Sequence, residues 1–132
     1  MMTLSRRIFL AALFLKISSS PGMAGGKNQP LPTKVSQCAE TSITEIGGRL
    51  EGDETFETGT FVVFANEGMQ IGYDRVEAIV NSKIGDPVRM CLTDIPKDCP
   101  PGDERGRSYR TTNLRTGESW EMADSQHMCG GA

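Results

Sequence analysis

Between Thr60 and Tyr73 the chain reads TFVVFANEGMQIGY, two runs rich in β-branched and aromatic residues around ANEG. That is the strongest hairpin signal in the sequence. Pairing Phe64 with Met69 sets Val62 opposite Ile71 and Thr60 opposite Tyr73, which makes one face almost continuously apolar and gives Gly68 the positive φ of the loop. Phe61 and Val63 point to the other face, because successive strand residues alternate sides. Apolar residues on both faces predict a hairpin that is covered on both sides and central in its sheet.

RSYRTTNLRTGESWEM, residues 107–122, alternates more cleanly. A turn at LRTG with Asn113 opposite Glu118 sets Thr111 against Trp120, Tyr109 against Met122 and Arg110 against Glu121. Tyr109, Trp120 and Met122 then share an inner face, and Arg110 and Glu121 pair on the solvent side. A slip of one residue would put Trp120 and Met122 on the face of Arg110, so the pattern fixes its own register.

Three further segments complete the reading. Ile43, Ile46 and Leu50 around Gly47-Gly48 predict a short bent strand. Tyr73, Val76, Ile79 and Val80 stand at helical spacing. After a turn at Gly85, Asp86 and Pro87, Val88, Met90 and Leu92 fall on one strand face and Arg89 and Cys91 on the other. The fold class is mainly β: five or six short strands in a small antiparallel β-barrel or coiled sheet, with at most one short helix.

Residues 1–24 break this pattern. Arg6 and Arg7 precede the unbroken apolar run Ile8–Leu15, and SSSPGMA follows with small and helix-breaking residues. That order is the order of a secretory signal peptide, with cleavage expected after Ala24. The run is far short of the roughly 20 residues of a spanning helix, so no stable membrane anchor is expected after cleavage. SRRIFL, residues 5–10, also resembles a twin-arginine export signal. Residues 25–37, with two glycines and two prolines, read as a flexible leader, and residues 38–132 as one domain.

Loss of the signal changes the charge. Removing Arg6, Arg7 and Lys16 from 14 basic residues leaves 11 against 17 acidic ones, about −6 rather than −3. A balance that acidic argues against nucleic acid and against an anionic membrane surface.

Cys38, Cys91, Cys99 and Cys129 all lie after the signal, where export allows disulfides to persist. Four cysteines allow three connectivities. CLTDIPKDC contains a proline and can fold back, which favours Cys91–Cys99 and leaves Cys38–Cys129 to tie the ends of the domain.

Catalytic and cofactor signatures are few. The tail DSQHMCGGA holds the one histidine, His127, beside Met128 and Cys129, all potential copper or zinc ligands. A metal centre normally draws on several spaced histidines and cysteines, so no metal or other cofactor is expected, with His127 and Met128 the weak exception. Glu51, Asp53, Glu54 and Glu57 make an acidic loop without the regular ligand spacing of a calcium loop. No phosphate-binding glycine motif occurs. Arg107, Arg110 and Arg115 lie along the second hairpin near Tyr109 and Trp120, residue types favoured as binding anchors. Tyr109 and Trp120 also suit a core, with the arginines paired to local acids.

GDPVRMCLTDIP, CPPGDERG, NLRTGESW and DSQHMCGGA together resemble a group of short exported bacterial proteins of uncharacterised function. The resemblance covers roughly the C-terminal half. It implies a bacterial source and a periplasmic or secreted location, and it brings no activity or site residues. The sequence thus points to an exported, non-enzymatic binding module for a protein or small-molecule partner. The alternative is a periplasmic metal-binding protein or hydrolase-type enzyme built on His127 and scattered carboxylates.

Overall fold

The computed structural model describes residues 26–131. The export signal expected over residues 1–24 lies outside the described residues. Six strands form one antiparallel sheet in the order β3-β2-β1-β4-β5-β6, where β1 is Cys38–Gly48, β2 Thr60–Phe64, β3 Met69–Gly72, β4 Pro87–Asp94, β5 Ser108–Asn113 and β6 Ser119–Ala123. A four-residue helix, α1 (Glu77–Val80), connects β3 to β4.

β1 is longer than its sequence suggests and serves both halves of the sheet. Cys38–Ser42 pairs with β4, and Ile43–Gly48 pairs with β2, with the register shifting between Ile43 and Glu45. An extra residue there bends the strand and adds twist, which curls the sheet into a half-barrel. Ile43, Val62, Phe64, Ile79, Val88, Met90, Leu92, Tyr109 and Trp120 fill its concave side.

A side chain bridges the two ends of the half-barrel. Gln70 on β3 is fully buried, and its amide donates to the carbonyls of Tyr109 at 2.8 Å and Met122 at 3.0 Å. Its oxygen accepts from Thr111 Oγ1 at 2.7 Å and from the Trp120 indole at 2.9 Å. Both donors and both lone pairs are used, which makes a buried amide stabilising rather than costly.

The second hairpin takes the register read from its sequence, with Tyr109 opposite Met122 and Thr111 opposite Trp120. The first hairpin does not. Val63 faces Met69, Val62 faces Gln70 and Phe61 faces Ile71, one step away from the expected pairing. The three-residue loop causes the difference. Glu67, at φ 69°, takes the left-handed position that the sequence assigns to Gly68, and Phe64 N donates to Gly68 O at 2.9 Å. This hairpin also lies at one end of the sheet, with β3 as an edge strand, rather than in its middle.

The disulfides are Cys38–Cys91 and Cys99–Cys129, which corrects the expected Cys91–Cys99 and Cys38–Cys129. Cys38 and Cys91 are direct partners across β1 and β4. Cys91 lies in the middle of an extended strand that runs on to Asp94, so it cannot fold back locally onto Cys99. The tail reaches Cys99 because Asp103 accepts from Gly130 N at 2.9 Å and Cys129 N donates to Arg105 O at 3.1 Å. With their cysteines 53 and 30 positions apart in the chain, the bridges are each worth about 4 kcal/mol on the chain-entropy model.

The segment read as a flexible leader lies along the sheet between residues 28 and 37. Gln29 N donates to Glu40 O and Glu40 N to Gln29 Oε1, both at 2.8 Å, and Leu31 packs against the core.

Candidate functional site

The five binding residues suggested by the second hairpin do not form one surface. Tyr109 and Trp120 are core residues, 3% and 5% exposed. Arg110 is exposed on the opposite face, across from Glu121. Arg107 approaches Glu104 at 4.0 Å.

Arg115 reaches back across the turn to Asp86, with Nε 2.6 Å from Oδ1 and Nη2 2.9 Å from Oδ2. Asn113 Nδ2 and the Lys83 amide also donate to Asp86 Oδ2. This buried carboxylate is held down to about 2, first by the Arg115 hydrogen bond and against the desolvation that would raise it. The pair fastens the β5–β6 turn to the start of β4.

The tail has a similar structural role. His127 and Met128 are exposed, and the His127 amide donates to Ser125 Oγ at 3.2 Å. Among the described residues no group of three or more His, Cys, Asp or Glu side chains is arranged to hold a metal ion. Cys129 is committed to its bridge, and no free cysteine is present among the described residues.

The most developed concave surface is elsewhere, on the convex side of the sheet. The loop after β1, residues 49–59, folds over the outer face of β1, β2 and β3 and leaves a groove of about 720 Å³. That volume lies within the range of ligand sites, ~300–1,000 Å³. Phe61 and Ile71 form part of its wall, with Leu50 and Phe56 from the loop and Glu45, Glu51, Asp53 and Glu54 around them.

The sequence builds this groove locally. Phe61 lies across Gly47, where a Cβ would stand 2.5 Å from the ring, so only glycine admits it. Asp53 organises the loop: its carboxylate accepts from the amides and hydroxyls of Thr55 and Thr58 at 2.6–3.1 Å. The Thr58 hydrogen bonds, above all, hold its carboxyl well below the usual carboxylate range. Arg49 donates to Thr58 O at 2.6 Å and to Gln126 Oε1 at 2.9 Å, and its guanidinium stacks over Tyr73. Phe56 is held at φ 62°, a conformation that costs a bulky residue of order 1–3 kcal/mol.

The charge is uneven. Four carboxylates line the groove against one guanidinium, that of Arg49, which is already engaged. Asp53 is satisfied within its loop, whereas Glu45, Glu51 and Glu54 are exposed and form no ion pair among the described residues. The acidic loop was legible as a charge run. The groove was not, because Ile71 joins Phe61 on the outer face only in the observed register.

No known family model, curated protein or solved structure matches the chain.

Proposed function

We propose that the protein is an exported, non-enzymatic binding module and that the groove beneath residues 49–59 is its binding site. The observation that carries this reading is the two-sided apolar character of the first hairpin. Val62 and Phe64 fill the core, yet Phe61 on the outer face is also apolar and lines the groove together with Leu50 and Phe56 from the loop. Leu50, on the loop, is 49% exposed. Apolar surface grouped in a concavity with polar groups at its rim is the usual form of a recognition site.

Export rests on the signal-like residues 1–24 and on two disulfides, which persist in oxidising compartments. No helix among the described residues is long and apolar enough to cross a membrane. A periplasmic or secreted location is the reading that joins these features.

An NMR fragment screen on the oxidised protein tests the assignment. Binders are expected to shift amides of residues 45–61, and Leu50→Ser is expected to weaken them several-fold without altering the rest of the spectrum. Hits that shift only other surfaces, or a screen without hits, would overturn it.

A further inference from the structure

From the chemistry of this groove we infer its occupant: a peptide segment of a partner protein in which lysine or arginine alternates with apolar residues. The inference rests on the groove being the binding site. Its wall and rim ask for different things. Phe61 and Leu50 give up contact with water only to an apolar group, which a bare cation does not supply. Glu45, Glu51 and Glu54 would be desolvated without compensation by a purely apolar ligand. A cationic side chain on an aliphatic stem, next to an apolar neighbour, satisfies both, since lysine and arginine cover apolar surface with their stems and keep the charged head at the rim.

Charge complementarity then selects against alternatives. An acidic segment would meet three exposed carboxylates that have no counter-ion among the described residues, and would be repelled. An extended peptide presents alternate side chains to opposite sides, so one set can lie on Phe61 and Leu50 while the other meets the glutamates. Phe56, kept left-handed in the loop, also lines the groove, and its ring is already approached by the Arg75 guanidinium at 5.8 Å.

The test uses the oxidised protein with three probes followed by NMR: an alternating leucine–lysine hexapeptide, its leucine–glutamate counterpart, and spermidine. The lysine peptide is expected to shift amides of residues 45–61, and to bind about tenfold more weakly at high salt and to the triple variant Glu45→Gln, Glu51→Gln, Glu54→Gln. Phe56→Gly is expected to reduce that binding severalfold without lowering the thermal midpoint, because glycine suits φ 62°.

Equal binding of the glutamate peptide, or of the lysine peptide to the triple variant, would overturn the choice of a cationic partner while leaving the groove as a binding site. Spermidine binding as tightly as the lysine peptide would overturn the peptide in favour of a free polyamine. Peptides that leave residues 45–61 unshifted while fragments shift them would overturn this inference alone. Failure of peptides and fragments together would overturn the binding reading beneath it.

Discussion

The two hairpins of this protein are of similar length and differ in how they hold their register. In β5–β6 the alternation of Tyr109, Thr111, Trp120 and Met122 with Arg110, Thr112, Ser119 and Glu121 permits one pairing, because the alternative buries charge. In β2–β3 both faces are apolar enough that a slip of one residue costs little side-chain burial. There the loop and one buried amide choose. Glu67 in the left-handed region sets a three-residue connection, and Gln70 rather than Ile71 turns inward to meet Tyr109, Thr111, Trp120 and Met122. A hairpin whose pattern leaves its register open can take it from long-range polar contacts.

The largest expected effect on this contrast comes from Gln70→Leu. It removes the acceptor of a buried hydroxyl and an indole N–H and the second donor to two ladder carbonyls, and is expected to cost about 3 kcal/mol in urea unfolding, with the Trp120 emission shifted in the folded baseline. A cost below about 1 kcal/mol would mean that the loop alone sets the register.

Arg115→Ala tests the second hairpin, where the turn is tied down by charge. Removing the half-exposed guanidinium from buried Asp86, which keeps its Asn113 and Lys83 donors, is expected to cost about 1–2 kcal/mol at pH 7. The pH dependence has a definite sign. Asp86 is depressed to about 2 in the folded protein, so its stabilising contribution is complete above the ordinary carboxylate value near 3.8 and is lost as pH falls through about 2. The difference between wild type and variant should therefore shrink in acid. A difference that stays constant down to pH 2 would remove the ion pair from the account.

Glu67→Gly should act in the opposite direction, raising stability by about 0.5–1 kcal/mol, since glycine adopts φ 69° without a Cβ clash. The smallest effect is expected from Val63→Thr on the outward face of β2, within about 0.5 kcal/mol. A loss near that of a core valine would show that this face is packed rather than available.

The same contrast separates what was legible in the sequence from what was not. Alternation located β4, β5 and β6 and the inward residues Val88, Met90, Leu92, Tyr109 and Trp120. The helical spacing of Val76 and Ile79 marked α1, although only four residues of it form. Local pattern could not show that β1 is shared by two neighbours, because nothing in Ile43–Gly48 reports which strands it meets. Cysteine spacing misled for the same reason: Cys38 and Cys91 are far apart in the chain and adjacent in the sheet. Tyr109 and Trp120 were ambiguous between anchor and core, and Gln70, the residue that bridges the two ends of the half-barrel, resembled an ordinary polar strand position. The acidic loop was visible, and so was the outward side of Phe61, but the presence of Ile71 beside it needed the register.

The pairing of the cysteines also bears on how the molecule matures. Each cysteine is joined to its neighbour in chain order, first to second and third to fourth, so the two covalent rings are consecutive rather than nested or crossed. A chain entering an oxidising compartment amino end first would present Cys91 to Cys38 before Cys99 had emerged. Order of arrival then favours the native bridges over the crossed ones.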